Sequence, residues 1–313
     1  MKRQKDTNIV NKILIAALLI FLIVYAVSVI ATLGWGLLTS FKNDNDYNLA
    51  GNKLGFPNLE FSSKEFLQWE NYRLIVEHFE WKANAKFFSN GIRITHRQDV
   101  NIVTLVVNTV IYAGMGALLH AFVPCVTAYL CVKYPYKLSK IIYSVCLIIQ
   151  IIPIVGAYPS EISLLRSLGV YDTFLGYFMQ KFNFTGMYFF VFHAYFRGVP
   201  DSYTEAAEVD GASQTAILFR IILPLAVKMI STVTLILFIQ LWNDYQTPLL
   251  YLPTRPTLAY GVYHMVYGQG VPVLNKLPIK VAGCMVLALP ILVAFIFLKD
   301  KLMGNVSIGG IKD

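Results

Sequence analysis

From Ile13 to Leu38 the chain runs 26 residues without a charged side chain. A helix rises 1.5 Å per residue, so this run would extend about 39 Å, more than the ~30 Å of hydrocarbon in a bilayer. No other feature constrains the fold as much. Inside hydrocarbon every backbone N–H and C=O must be paired within the chain, and only helices or closed barrels achieve that. The pattern recurs. Apolar runs over roughly 13–39, 102–132, 140–159, 184–199, 223–244 and 279–298 predict six spanning helices. The fourth is short and holds His193. The predicted class is therefore an all-α polytopic membrane protein with six transmembrane helices. Composition agrees: 56% of residues are hydrophobic and 14% charged, against roughly 25% charged in a soluble domain.

Basic residues orient these spans. Lys2, Arg3 and Lys5 precede the first, Lys133, Lys137 and Lys140 fill the loop after the second, and Lys299, Lys301 and Lys312 follow the last. With six spans, all three groups fall on the cytoplasmic side, as the positive-inside bias requires, and both termini are expected there. The net charge of +8 thus marks helix ends and does not point to nucleic acid. Lys2 to Lys12 ahead of an apolar run also resembles a signal peptide, but an h-region is only about 7–15 residues long. A retained first helix is expected. Cys125, Cys131, Cys146 and Cys284 form no CxxC pair and are read as buried small hydrophobes.

Residues 41–100 carry eight basic and eight acidic side chains and form a long segment on the outside. Tyr72, Ile75, Val76 and Phe79 recur at helical spacing and predict one amphipathic helix. The aromatics Trp69, Tyr72, Phe79, Trp81, Phe87 and Phe88 form either a small local core on the membrane surface or a contact for a partner or sugar. Asp44 and Asp46 make a short D-x-D-like pair in KNDNDY.

Residues 205–224 read EAAEVDGASQTAILFRIILP. Pro200-Asp201-Ser202 breaks the preceding span, and Ser202 with Glu205 has the spacing of a capping box. Gly211 can end the short helix in the left-handed region. Ala206 and Ala207 leave one face small enough for close approach by a neighbour, and Pro224 suits the first turn of the next span. A rigid helix-turn-helix knob is expected.

Glu205, Ala206, Ala207, Asp210, Gly211, Ala212, Ile221, Leu223 and Pro224 stand in register with the Glu-Ala-Ala signature of the membrane subunits of bacterial ATP-binding-cassette importers, which this stretch resembles. From about residue 100 onward the chain is similar to the carbohydrate-type, maltose-type permeases of that family. The resemblance runs through Asn108-Thr109, Ala128-Tyr129, LGVYDTFLGY at 168–177, WNDYQTPLLYL from Trp242 to Leu252, and the closing VSIGGIKD. It implies a type I importer permease fold in the bacterial cell membrane. Residues 1–101 would be the N-terminus, first helix and outer loop, 102–298 a five-helix core with a coupling segment at about 201–222, and 299–313 a cytoplasmic tail. It also implies a second permease chain, two ATP-binding-cassette subunits, an extracytoplasmic solute-binding protein and a carbohydrate substrate. Glu205, Ala206, Ala207, Asp210, Gly211 and Ala212 would engage the ATPase, and Gly309, Gly310, Ile311 and Lys312 of the tail would reach between its two subunits.

No G-x-x-x-x-G-K-[ST] occurs, so the chain is expected to bind no cofactor itself, with ATP and Mg²⁺ used by the partner ATPase. No catalytic motif argues for an enzyme. Polar residues in or beside the spans are candidates for the substrate path: Asn108, Gln150, Gln240, Trp242, Asn243 and Tyr245, with His120 and His193 as weaker ones. Each also has a packing reading, as interhelical glue. An ion-coupled secondary transporter would place acids or His at the midplane, whereas Asp244 lies only at an edge. A membrane glycosyl or lipid enzyme would rest on Asp44 and Asp46 alone.

Overall fold

The computed structural model describes residues 2–48, 51–58, 67–89, 91–152, 156–268 and 272–303. They fall into two units, Met1–Phe79 with Gln269–Val286, and Glu80–Gly268 with Leu287–Asp313.

In the first unit α1 (Lys2–Ser40) is followed by α2 (Asp44–Asn48) and α3 (Glu70–His78). The apolar side chains of α1 from Ile13 to Ile30 stay largely exposed, a surface that lipid or another protein has to cover. Beyond α1 a polar knot fixes the chain. Lys42, fully buried, donates Nζ to the Asn52 carbonyl at 2.6 Å. Burial holds its ammonium below the ordinary lysine range, with the Asp46 carboxylate opposing. Asp46 accepts from Asn52 Nδ2 and from the Asn58 amide, both at 3.0 Å. One member of the D-x-D-like pair is thus spent on holding a turn. α3 is the predicted amphipathic helix, with Asn71 and Ile75 buried. Phe41, Trp69 and Tyr72 pack ring to ring at 4.9–5.9 Å; of the six aromatics, Phe79 and Phe87 are buried, as the local-core reading expects, while Trp69 and Phe88 are exposed.

The second unit opens with a β-hairpin, β1 (Trp81–Ser89) and β2 (Ile92–Val100), antiparallel from Trp81↔Val100 to Ser89↔Ile92. This corrects the all-α expectation: the described residues are mostly helical, but not wholly. The physical cause is a period of two. Ala83, Ala85, Phe87 and Ser89 turn inward while Lys82, Asn84, Lys86 and Phe88 turn out. Two of the inward residues are alanine, so the alternation carries little hydropathic contrast. Asn90-Gly91, a hairpin-turn dipeptide, was the other sequence signal.

The helices that follow are α4 (Ile102–Lys133), α5 (Lys137–Ile151), α6 (Ala157–Ser167), α7 (Phe174–Lys181), α8 (Met187–Arg197), α9 (Ser202–Val209) and α10 (Gln214–Ile217). A π turn (Leu218–Ile222) leads into α11 (Leu223–Trp242), then α12 (Gln246–Tyr251), α13 (Leu258–Tyr267) and α14 (Leu277–Met303), whose first turns belong to the first unit. α4 packs against α8 and α11. Ala113, Ala117, Ala121, Cys125 and Ala128, all fully buried, recur at helical spacing along it. Small residues let helix backbones approach where no hydrophobic force drives them together.

Among the described residues four helices are long and apolar enough to cross a membrane, Asn11–Ser40, Ile102–Lys133, Gln214–Trp242 and Leu277–Phe297. The other two predicted spans are shorter than expected. The run 140–159 is broken: α5, of 15 residues and about 22 Å, ends at Ile151, and α6 begins at Ala157. α5 ends because Ile152, at ψ 116°, precedes Pro153 and is pushed out of the helical region. The run 184–199 is helical only as the 11 residues of α8, about 16 Å, between Gly186 at φ 130° and Gly198. Cys125, Cys131 and Cys146 are buried as expected, while Cys284 is exposed.

Candidate functional site

The Glu-Ala-Ala stretch folds into a knob with two helical arms. Thr204 and Glu205 donate their amides to the Asp201 carbonyl at 2.9 and 3.0 Å, and α9 starts without a side-chain cap. The expected Ser202–Glu205 capping box is not formed. The N-cap residue is Asp201, already in the helical region, so Ser202 lies one residue too far in to reach an orphan amide. The other end is as expected. Gly211 sits at φ 79°, the Gly211 amide donates to the Glu208 carbonyl at 3.0 Å, and the Ala212 amide reaches back to Ala207 at 2.9 Å. That pair of bonds is a Schellman cap. Ser213 then accepts from the Ala216 amide and starts α10.

Pro224 stands in the first turn of α11, as expected, but the rod begins before it. Gln214 to Trp242 is one continuous rod, and the π turn lies directly before the proline, with the Leu223 amide bonded to the Leu218 carbonyl. A proline ring clashes with the carbonyl four residues back and cannot donate to it, and the wider π turn relieves both conflicts.

The C-terminal end of α4 holds the knob in place. Lys133 Nζ donates to Thr204 Oγ1 and lies 3.6 Å from Asp201 Oδ1. The Tyr134 hydroxyl donates to Gln214 Oε1, and Gln214 Nε2 donates to Glu208 Oε1 at 3.0 Å. Burial, then the Glu208 charge, pushes the Tyr134 hydroxyl above its ordinary value. Both arms are therefore tied to one helix end. Sequence reasoning used Lys133 only for orientation and missed Tyr134, Thr204, Glu208 and Gln214. The one signal available was that polar side chains flank the Gly211 turn on both sides.

Glu205, Ala206 and Asp210 are exposed, Ala212 is half-buried, and Ala207 is buried against its own chain. The small face available to a neighbour is thus Ala206, without Ala207. The Glu205 carboxylate has no partner among the described residues. Gly309, Gly310, Ile311 and Lys312 lie outside the described residues.

The path candidates separate. Asn108 is buried and donates Nδ2 to the Pro256 carbonyl at 3.0 Å, and Thr109 Oγ1 accepts from the Leu258 amide at 2.7 Å. These two residues bind α4 to the start of α13. Trp242 is buried, with Nε1 on the Leu287 carbonyl at 3.1 Å, and Asn243 Nδ2 turns back on Ile239. Gln150 and Gln240 are exposed, and Tyr245 stacks on Tyr263 at 4.6 Å. The structure does not join the six through hydrogen bonds: those of Asn108, Trp242 and Asn243 run to backbone carbonyls. It gathers others: Asp172, buried at φ 60°, accepts from the Thr254 amide at 3.0 Å, Thr254 Oγ1 at 2.6 Å and His96 Nδ1 at 2.8 Å, which joins β2 to the loops after α6 and α12.

Four helices long and apolar enough to span a bilayer, with a knob tied to the end of one of them, describe a membrane protein in outline. Residues 121–304 match the family of binding-protein-dependent transport system inner membrane components, and the chain belongs to that family. It is 26% identical over 209 residues, covering 66% of this chain and 75% of the relative, to the melibiose/raffinose/stachyose import permease protein of Bacillus subtilis. To the diacetylchitobiose uptake system permease protein of Streptomyces coelicolor it is 25% identical over 299 residues, covering 92% and 86%. The maltodextrin transport system permease protein of Bacillus subtilis is 29% identical over 210 residues, covering 66% and 74%. The crystal structure of a bacterial ABC transporter that imports the acidic polysaccharide alginate contains a chain that superposes with a TM-score of 0.67 at 19% identity, covering 92% of this chain and 96% of that one.

Proposed function

We propose that this chain is one of two different membrane subunits of an ATP-driven, binding-protein-dependent importer of sugars or oligosaccharides. The observation that carries the coupling role is the knob: an exposed, unpaired Glu205 beside a small Ala206, on a helix capped by Gly211 and tied to α4 by Lys133 and Tyr134. A rigid projection transmits displacement, whereas a floppy loop would absorb it. An ATPase pair closing on ATP and Mg²⁺ would move the knob, and the tether would pass that movement into α4 and α11. Glu205 to Ala212 are the contact, and Gly309 to Lys312 a second contact through the tail. The chain itself makes no covalent change in the solute.

Sugar as cargo is supported by the names of the three relatives above, each a saccharide permease or uptake protein. The six-span arrangement is part of the proposal, with α5 and α8 as the two short crossings and both termini in the cytoplasm. The lysines at 133, 137 and 140 support that orientation.

The test is reconstitution in proteoliposomes with the second permease, the ATPase pair and a solute-binding protein. Glu205→Lys should leave the chain inserted and abolish stimulation of ATP hydrolysis by the loaded binding protein. Full stimulation with Glu205→Lys, and an ATPase that still co-purifies, would remove the coupling role.

A further inference from the structure

The hairpin's outer face carries charge that the fold does not use. In the strand register Phe88 faces Arg93, Lys86 faces Thr95, Asn84 faces Arg97 and Lys82 faces Asp99, so these side chains share one face. It holds four cations and one anion, and all five charged residues are exposed. None of the four cations is in an ion pair among the described residues. The face is also not a lipid anchor by position. β2 runs straight into α4, and at ~3.4 Å per residue Arg97 stands about 10 Å and Arg93 about 24 Å along the strand from Val100. The unpaired charge therefore climbs away from the helix that enters the membrane.

Phe88 links this face to a groove of about 730 Å³, within the ~300–1,000 Å³ of ordinary ligand sites. Phe88 and Tyr158 line it with rings 65% and 57% exposed. Ser163, Arg166 and Ser167 supply the polar wall. Ser167 already donates to the Leu164 carbonyl at 2.7 Å, so its hydroxyl has lone pairs left to accept. The Arg166 guanidinium lies 4.8 Å from the Tyr171 ring and 5.8 Å from the Phe87 ring and shares a hydrogen bond with the Tyr171 side chain, while its Nε is buried without a hydrogen-bond partner.

Two ring faces suit the C–H faces of pyranoses, hydroxyls suit sugar hydroxyls, and a seated guanidinium with unpaired cations nearby suits carboxylates. We propose that this groove and the cationic face beside it bind a carboxylated oligosaccharide, a chain of uronate-type units. The inference rests on the sugar-importer reading for the general class of ligand and adds the charge. A concave site with exposed rings favours a saccharide over the flat acidic surface of a protein.

The test uses the full chain in nanodiscs of zwitterionic phosphatidylcholine, which has no net charge, with trigalacturonate and the neutral maltotriose as probes, titrated at low and raised salt. Trigalacturonate should bind about tenfold more tightly than maltotriose, the effect of one charge-assisted contact, and should weaken as salt rises. Arg166→Gln should cost about tenfold. Because Arg166 also packs, the double variant Lys86→Gln with Arg93→Gln, both exposed, is the second arm and should weaken trigalacturonate severalfold while leaving maltotriose unchanged. Equal affinity for the two probes, or trigalacturonate binding insensitive to the double variant, overturns the proposal. So does absence of sugar binding together with a double variant that weakens stimulation by the binding protein, which would assign the face to an acidic protein. ATP-driven uptake of any saccharide by the assembled transporter, measured in parallel, reports on the importer reading separately.

Discussion

Replacing Gly211 should uncouple transport in proportion to how poorly the new residue tolerates the left-handed region. The position is informative because sterics and conformation separate there. A Cβ built on Gly211 meets no atom within 4 Å, so the first atom of a side chain has room. What remains is the backbone at φ 79°. An ordinary L-residue costs about 1–2 kcal/mol there, a β-branched one more, and asparagine less. The Schellman bonds Ala212→Ala207 and Gly211→Glu208, at 2.9 and 3.0 Å, exist only while that conformation holds. For Gly211→Val the cost is about 2–3 kcal/mol, enough to shift the local cap equilibrium by a factor of about 30 or more. For Gly211→Asn it is under about 1 kcal/mol. Binding-protein-stimulated ATP hydrolysis, normalised to inserted protein, should therefore fall in the order Gly, Asn, Ala, Val. Wild-type stimulation in Gly211→Val, or an asparagine variant as damaged as the valine one, would refute the reasoning. The first outcome would mean that the cap is not needed, and the second that the defect is not conformational.

Three further outcomes follow from other contacts. Gly116→Ala should lower the Tm by scanning fluorimetry, since its Cβ would stand 2.2 Å from the Tyr177 hydroxyl and 3.0 Å from Leu241 Cδ1, an overpacking worth about 1–3 kcal/mol; Gly114→Ala, with nothing within 4 Å, should leave the Tm unchanged or raised, and equal behaviour of the two would contradict the packing. Asp172→Ala should cost about 1–3 kcal/mol by stranding the buried Thr254 donors and should expose the hairpin to limited proteolysis, and a wild-type cleavage pattern would show that Asp172 does not hold it. In a background lacking the four native cysteines, Lys86→Cys and Ser139→Cys should label from opposite sides of intact cells, and labelling of both by an impermeant thiol reagent would overturn the orientation.

Local chemistry alone made much of this molecule legible. α1, α4, α11 and α14 follow from long apolar runs because a helix is the simplest way to satisfy backbone in hydrocarbon. α3 follows from Ile75 and Phe79 at helical spacing, and the turn at Gly211 from a glycine placed where a left-handed residue ends a helix. The hairpin was not legible in the same way. Its inward face is built from Ala83, Ala85 and Ser89 as much as from Phe87, so a hydropathy scan sees no alternation. The short lengths of α5 and α8 were also hidden, because apolar residues continue past the points where Pro153 and Gly186 interrupt the backbone.

What the sequence by itself determined is the class of the chain, a helical membrane component of a binding-protein-dependent transport system, and the position of its knob. Apolar runs and a nine-residue register are local properties that survive without coordinates. The tertiary structure decided which polar residues act together. Asn108 and Trp242, candidates for a path, are spent on carbonyls of Pro256 and Leu287. Asp172, Lys133 and Tyr134 tie segments together across 71 to 82 positions of sequence. A hydrogen bond depends on distance in space, and spacing along the chain carries no record of partners that only folding brings together.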